Sequence, residues 1–150
     1  MKRAVPPPLV FLAAIIATFL TKLAVPATRV DVPLIGNIGF AMVLLGGLLA
    51  FFAVARFRAR GTTINPHHPE RSTVLVTDGV FALTRNPMYL ALALVAAGAA
   101  LMQSAPLGLL FVAAAAWYIT KFQIKPEEDA LRVTFGADFN AYAQRVRRWI

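Results

Sequence analysis

Three stretches without a charged side chain constrain the fold of this chain more than any other feature. They are Ala4–Thr21, Pro33–Ala55 and Asn86–Thr120, of 18, 23 and 35 residues. A helix needs about 20 apolar residues to cross a bilayer, so the first two stretches suit one span each and the third suits a hairpin of two. With 59% hydrophobic residues, the chain is too apolar for an ordinary globular domain. The sequence therefore predicts an all-α integral membrane protein with about four transmembrane helices, the last two forming a hairpin.

Helix-breaking residues set the boundaries of these spans. Gln103–Pro106 is the natural turn of the hairpin, because a proline ends the helix before it and can begin the next one. A cleaved signal peptide is the alternative for the first span, since Lys2 and Arg3 precede it. A retained span is our interpretation, because no convincing small-x-small cleavage site comes before Lys22. The predicted single domain covers residues 1–150, with spans at residues 9–25, 34–57, 87–102 and 106–125.

Two polar segments accompany the spans. Segment 58–86 contains turn-forming residues and the β-prone run Thr73–Thr77, and we expect it to be a cytoplasmic loop folded over the membrane face. Segment 126–150 carries apolar residues at helical spacing, and Gly136 is expected to divide it into two short amphipathic helices. Its end, Arg145–Trp149, is typical of an anchor at the membrane interface.

The basic residues predict the orientation. With four spans both termini share one side, which then carries thirteen of the fifteen lysines and arginines and leaves only Lys22 and Arg29 opposite. Basic residues concentrate on the cytoplasmic side of membrane proteins. Both termini and the loop 58–86 are thus predicted to be cytoplasmic, and the compactness of the chain suggests a bacterial inner membrane. Topology and anionic headgroups account for the net charge of +8, so we expect no nucleic-acid partner.

Polar groups cluster at the two cytoplasmic ends of the hairpin. Asn86 and Pro87 are typical of a helix N-cap and first helical position, where free backbone amides attract an anion or an electron-rich group. Arg85 adds a permanent charge, and Glu127 and Glu128 follow the hairpin. Each group alone has an ordinary explanation. The arginine would set the membrane topology, the asparagine would cap a helix, and the two carboxylates would be solvated residues at the start of a helix. Gathered at one membrane face, they can hold a small zwitterionic molecule.

The arrangement resembles paired motifs of a known group of enzymes. Arg-x-Pro-x-Tyr at Arg85–Tyr89, then Gly98, and then Glu127–Glu128 resemble the S-adenosylmethionine-binding motifs of the phospholipid methyltransferase and isoprenylcysteine carboxyl methyltransferase families. The resemblance runs from about Thr62 to the C terminus. Two residues depart from the family pattern, since Asn86 replaces a histidine and Phe139 replaces a tyrosine.

The resemblance implies transfer of a methyl group from S-adenosylmethionine to a membrane-embedded or lipophilic acceptor. An isoprenylcysteine-like carboxylate and a phospholipid amine are the two acceptors implied, and no metal is expected. Glu127 and Glu128 would hold the methionine end of the cofactor, and His67 or His68 would supply any proton chemistry that Asn86 cannot. The implied catalytic residues are Arg85, Tyr89 and His67. The implied cofactor-binding residues are Arg85, Asn86, Pro87, Tyr89, Gly98, Glu127 and Glu128.

Other functions remain open at this point. The acceptor is alternatively a small lipophilic thiol. A non-catalytic membrane scaffold explains the hydropathy but not the convergence of Arg85 with Glu127 and Glu128. The sterol reductases that use NADPH share a related C-terminal half, but they are much longer and have more spans. The sequence gives no prediction of the oligomeric state.

Small residues recur in the second and third spans. In lipid they let helices approach closely, so helix packing is the default explanation for the second span, with a groove wall for the cofactor as the alternative. For the third span we predict a groove for an acyl or prenyl chain of an acceptor that enters from the bilayer, with close helix packing as the alternative. The residues in question are Gly36, Gly39, Gly46 and Gly47 in the second span, and Ala91, Ala93, Ala96, Ala97 and Gly98 in the third.

Overall fold

A computed structural model describes residues 5–30, 32–59 and 74–150 of the chain. Within these residues the protein contains five α-helices and no β-strand. The predicted all-α class is therefore confirmed for the described part of the chain. The helices are α1 (Pro7–Ala24), α2 (Pro33–Ala59), α3 (Pro87–Met102), α4 (Gly108–Ile119) and α5 (Lys125–Arg145).

The helices α1 and α2 are long and apolar enough to cross a membrane, judged by length and composition. Helix α1 begins at Pro7, two residues earlier than the predicted Leu9, because proline is tolerated in the first turn, where the missing N–H has no helical partner. Most of helix α2 is not buried in the protein. Its large apolar side chains, such as Leu34 and Phe51, are exposed.

Helices α3 and α4 are shorter. The 16 residues of α3 extend about 24 Å, and α3 occupies the predicted range 87–102. Helix α4 begins at Gly108, after a turn in which Ser104 adopts a positive φ of 56°, and so starts two residues later than predicted. It then passes through a π-helical turn, Thr120–Ile124, directly into α5. The expected count of four spans remains a prediction.

The helices pack around small residues. Helix α2 lies against α3, and α1 lies against α3 and α4. A Cβ atom added to Gly98 of α3 would collide with the carbonyl oxygen of Gly39 in α2, and one added to Gly46 would lie 2.8 Å from the carbonyl oxygen of Ala91. Packing therefore explains these three glycines. An added Cβ at Gly36 or Gly47 would meet nothing within 4 Å.

The C-terminal segment turns back towards the start of α3. Gly136 interrupts α5 with φ of 52° and ψ of −118°, a conformation that favours glycine, and the predicted division there is confirmed. Beyond it, the Tyr142 hydroxyl donates a hydrogen bond to the carbonyl oxygen of Phe81 (2.6 Å). The Arg85 backbone N–H donates to the carbonyl oxygen of Arg147 (3.0 Å). The end of the chain is thus bonded to the segment that leads into α3, which adds a structural role to the expected interfacial anchor.

Only part of the predicted loop 58–86 belongs to the described residues. Residues 74–77 form no strand in spite of their β-prone side chains, and a 3-10 helix follows at Gly79–Ala82. Residues 60–73, including His67 and His68, lie outside the described residues.

The contact between α2 and α3 predicts a steric effect at Gly98. Gly98→Ala should lower the free energy of unfolding by about 1–3 kcal/mol, because the new methyl group meets backbone atoms of α2 that cannot rotate away. Gly36→Ala is the matched control, since the same methyl group enters open space there and alanine favours the helix. Thermal unfolding in detergent micelles measures both variants, and equal transition temperatures would contradict the packing role of Gly98.

Candidate functional site

A cavity of about 430 Å³ opens where α3 begins beside α5. This volume lies within the range of small-molecule sites, roughly 300–1,000 Å³. All of the predicted site residues that the structure describes line the cavity, with one exception. The exception is Gly98, which lies against α2 for the steric reason given above, and His67 lies outside the described residues. The predicted residues in the wall are Arg85, Asn86, Pro87, Tyr89, Glu127 and Glu128.

The start of α3 differs from the expected N-cap. Asn86 occupies the N-cap position, but its side chain makes no capping hydrogen bond. The Asn86 Nδ2 instead donates to the carbonyl oxygen of Arg148 (2.9 Å), because the end of the chain returns to this point. The Asn86 backbone N–H donates to the hydroxyl of Thr84 (3.2 Å). The interpretation of Asn86 as a side-chain cap is therefore wrong, although the helix begins where it was predicted to begin.

Glu128 is held on both oxygens by arginines. Its Oε1 accepts from Arg85 Nη2 (2.9 Å) and from Arg148 Nε (3.0 Å), and its Oε2 accepts from Arg148 Nη2 (2.7 Å). The side chain is only 5% exposed. Burial would raise the pKa of Glu128, but the hydrogen bonds and charges of Arg148 and Arg85 together outweigh it and hold this pKa below its usual range. Glu128 is consequently an ionised carboxylate whose charge is already balanced.

Arg85, like Glu128, bonds to several separate parts of the chain. Besides Glu128, its guanidinium donates through Nη1 to the carbonyl oxygens of Ala143 (2.7 Å) and Val146 (3.0 Å). Its side chain is 11% exposed. Arg85 therefore ties the start of α3 to the second half of α5 and to the segment that follows it.

Glu127 is in the opposite electrostatic situation. Its Oε1 accepts from the Tyr89 hydroxyl (2.6 Å) and from Gln123 Nε2 (3.0 Å). Within the described ranges no arginine or lysine pairs with Glu127, and no protein donor bonds to its Oε2. Burial raises the pKa of Glu127 to about 7, although the hydrogen bonds from Tyr89 and Gln123 act in the other direction. The cavity wall thus carries one carboxyl group whose charge no described arginine or lysine balances.

The rest of the cavity wall is apolar. The loop residues Val74–Val76 contribute to it, as do Gly47 and Ala50 of α2 and Leu92 and Val95 of α3. These α2 and α3 residues, which we call the apolar arm, lead from the polar cluster along the two helices. Gly47 lines the cavity, and an added Cβ there would meet nothing within 4 Å. An open groove, not helix packing, therefore explains the small side chain at this position.

The small alanines of α3 divide between groove and core. Ala91 lines the cavity, whereas Ala96 and Ala97 are buried with Phe11 of α1 in the main hydrophobic core. Ala93 packs against the same core. The hypothesis of a groove along Ala93, Ala96 and Ala97 is wrong, because the neighbouring helices fill that side of α3.

Two polar residues of the site were missed in the sequence. Arg148 was assigned to an interfacial anchor, and nothing in its spacing reveals a contact with Glu128, because that contact depends on the reversal after Gly136. Gln123 carried a usable signal. It lies four residues before Glu127, a spacing that places two side chains on the same face of a helix.

Comparisons with known proteins give the family context of this site. Residues 35–138 match the family model described as phospholipid methyltransferase. The chain is 30% identical over 112 residues to protein-S-isoprenylcysteine O-methyltransferase B of Arabidopsis thaliana. It has the same identity over 112 residues with a probable protein-S-isoprenylcysteine O-methyltransferase of Oryza sativa subsp. indica. Each alignment covers 75% of this chain but only 57% and 59% of the two relatives, so the chain spans less than two thirds of their length.

The family match and the two long apolar helices together indicate that the protein associates with a membrane. Both relatives are plant proteins, so the bacterial inner membrane remains a prediction from the sequence.

The two glutamates are expected to affect stability in opposite ways. The pKa of the Glu127 carboxyl group is raised in the folded protein, so on raising the pH the unfolded chain loses the Glu127 proton before the folded protein does. Glu127 therefore makes the folded protein progressively less stable as the pH rises from 4.5 to about 7. Glu127→Gln keeps an acceptor for Tyr89 and removes the charge. It should raise the free energy of unfolding by an amount on the order of 2–3 kcal/mol at about pH 8, with little effect near pH 4.

Glu128→Gln should do the reverse. The pKa of Glu128 is lowered, so its ionised form stabilises the fold above the usual carboxyl pKa of 4.5, and this contribution disappears as the pH falls through the folded-state value. The variant should be less stable than wild type at neutral pH and approach it in acid. Thermal unfolding in detergent from about pH 3 to about pH 8 tests both statements, because the lower limit lies below the usual carboxyl pKa. A Glu127→Gln variant less stable than wild type at pH 8 would contradict the first.

Proposed function

Because the chain belongs to the phospholipid methyltransferase family, we propose that it transfers the methyl group of S-adenosylmethionine to a lipophilic acceptor in the membrane. The observation that carries the proposal is the cavity, in which an unbalanced carboxyl group stands at one end of an apolar arm. When bound, S-adenosylmethionine supplies a methyl group on a positively charged sulfur. It also carries an α-ammonium group, so its charge complements the Glu127 carboxylate, and the apolar wall accommodates its uncharged parts.

In this proposal the polar residues bind and position. Oε2 of Glu127 would accept hydrogen bonds from the α-ammonium group, while the Tyr89 hydroxyl donates a hydrogen bond to Oε1 (2.6 Å). Glu128 and Arg85 act through α5, because their buried ion pair at 2.9 Å fixes the helix that carries Glu127. Arg85 is thus a positioning residue. Of the three catalytic residues that the resemblance implies, only Tyr89 is proposed to contact the ligand among the described residues. Any contribution of His67 remains a prediction.

The residues of the cavity need to align the acceptor with the methyl carbon and to exclude water. A carboxylate acceptor, with a pKa of roughly 4, is already ionised at neutral pH, whereas an amine or a thiol must first lose a proton. A carboxylate therefore needs only desolvation and alignment from the residues of the cavity. The relatives named isoprenylcysteine O-methyltransferases support the same choice. We propose a carboxylate on a lipid-linked molecule as the acceptor.

We also propose that the acceptor enters from the bilayer along the apolar arm, with α3 and α4 completing a four-span topology. The cavity and both termini then face the cytoplasm. Basic side chains at this end of the bundle support the orientation. Lys121, near the end of α4, places its ammonium group 5.1 Å from the ring centre of Trp117, as expected for a residue at a membrane interface.

The proposed cofactor contact predicts a loss of binding in Glu127→Gln. Affinity for S-adenosylhomocysteine, measured by titration calorimetry at about pH 7.5, should fall by roughly 10- to 100-fold, as when a charge-assisted hydrogen bond is lost. Asp129→Asn is the matched control, because this acidic side chain two positions away is 73% exposed and pairs with Arg132 outside the cavity. Unchanged affinity in a folded Glu127→Gln variant would refute the site assignment.

The apolar arm predicts an effect on the acceptor alone. Gly47→Leu should abolish methylation of an S-prenylated N-acetylcysteine while leaving S-adenosylhomocysteine binding within about twofold, because the side chain fills the arm and not the polar end. Gly36→Leu places the same side chain in open space on the same helix and should leave turnover unchanged.

The same assay identifies the acceptor. Supplied separately, the prenylated carboxylate, a phosphatidylethanolamine and an alkyl thiol distinguish the three acceptor groups. Methyl transfer to the amine or the thiol, but not to the carboxylate, would overturn the choice of acceptor.

A further inference from the structure

The π-helical turn between α4 and α5 directs one polar side chain into the protein. Gln123 lies in this turn and is only 5% exposed, whereas its neighbour Phe122 is 45% exposed. A π-turn contains about one residue more than an α-turn, so it changes the direction in which the following side chains point, and such turns are frequent at functional sites. The Trp149 Nε1 donates a hydrogen bond to the Thr120 hydroxyl (3.1 Å), which connects the C-terminal segment to the first residue of the turn.

The buried amide of Gln123 contacts the unbalanced carboxyl group. Its Nε2 donates to Oε1 of Glu127 (3.0 Å), the same oxygen to which the Tyr89 hydroxyl donates (2.6 Å). Two donors on one oxygen restrict the rotation of the carboxyl group and leave Oε2 as the oxygen available to a ligand. These two contacts come from different helices, so the geometry depends on the packing of α3 against the π-turn.

The stability of the fold alone does not explain this amide. The Gln123 Oε1 is buried and finds no hydrogen-bond partner among the described residues. An unsatisfied buried acceptor of this kind is unfavourable for folding, and an apolar side chain at the same place would avoid it. The hydrogen bond to Glu127 is the interaction that a glutamine adds here.

We infer that Gln123 is a positioning residue: together with Tyr89 it holds Oε1 of Glu127, so that Oε2 and the negative charge are presented to the cationic end of the ligand. The inference rests on the proposed role of Glu127 in binding S-adenosylmethionine. It assigns to the π-turn the task of keeping the carboxyl group oriented and ionised while the site binds its ligand.

The groups that face Glu127 allow a pH-dependent test. They are Tyr89 from α3, and Gln123 and Glu128 on its own helix, with the charge of Glu128 balanced by Arg85 and Arg148. The hydrogen bond from Gln123 favours the ionised form, so its removal raises the pKa of Glu127. A cation binds to the ionised form, and affinity for S-adenosylhomocysteine should therefore rise with pH through about 7 in the wild-type protein.

The experiment is titration calorimetry of the full chain in detergent micelles with S-adenosylhomocysteine, at pH values from about 5.5 to 7.5. In this range an α-amino group, with a pKa of roughly 8, remains largely protonated. Gln123→Met, which has a similar shape but no donor, should move the affinity rise upwards by about one pH unit, so that affinity is still rising steeply at the upper end of this range. Binding near pH 6 should weaken about tenfold, with a smaller loss at the upper end. Gln103→Met is the matched control, because Gln103 donates to the carbonyl oxygen of Ala99 at the opposite end of α3.

The outcomes separate this inference from the proposed function. An unshifted midpoint with the same loss at every pH would overturn the positioning role. If Gln123→Met does not fold, Gln123→Asn decides in the same way, because its shorter amide stays polar but does not reach Glu127. Wild-type protein that does not bind S-adenosylhomocysteine, or a pH step that survives in Glu127→Gln, would refute the proposed function itself. A wild-type step that Glu127→Gln abolishes and Gln123→Met leaves in place would refute only the inference about Gln123.

Discussion

The site depends on the buried ion pairs that Glu128 makes with Arg85 and Arg148. These contacts join three parts of the chain that are distant in sequence: the start of α3, the first half of α5 and the C-terminal segment. A buried ion pair adds little net stability compared with apolar packing, because both charges lose their hydration. Removing one partner is costly, however, since it leaves the other charge buried and unpaired. The triad therefore fixes the relative position of these segments more than it increases the stability of the whole.

Helix α2 combines packing and a cavity wall at neighbouring positions. Gly39 and Gly46 allow close approach to α3, as expected where lipid gives helices no hydrophobic reason to associate and contact must come from shape. Gly47, one residue on, faces the cavity and has open space before it. The same close approach that joins the helices thus forms the border of the apolar arm. Widening the interface at Gly46 would alter the cavity as well as the packing.

The sequence predicted the parts of this structure that depend on local chemistry. Charge-free stretches and prolines located α1, α2 and α3 to within two residues, because apolar length and the missing N–H of proline act locally. The convergence of Arg85 with Glu128 was also predictable, since a helical hairpin returns to the side from which it started. It was not possible to predict that Glu128 rather than Glu127 binds the arginine, because adjacent carboxylates differ only in the direction they face.

Long-range contacts account for the features that were missed. The Asn86 side chain bonds to Arg148 and not to its own helix, because Gly136 reverses the chain and brings a carbonyl oxygen to it. Gly98 belongs to a motif that resembles a cofactor site, yet α2 lies directly against it. Both outcomes follow from which segment arrives at a given place, and a sequence pattern does not contain this information.

The two adjacent glutamates divide one electrostatic task between them. Arginines balance the charge of Glu128, whereas no described arginine or lysine pairs with Glu127, the carboxyl group that the proposed function assigns to the ligand. On the proposed function, methyl transfer removes the positive charge on sulfur but leaves the α-ammonium group unchanged. The contact with Glu127 then persists from substrate to product, so it contributes equally to the binding of both and does not itself lower the barrier. The acceleration must come from the other end of the cavity, where the apolar arm removes water from the acceptor and fixes its approach to the methyl carbon.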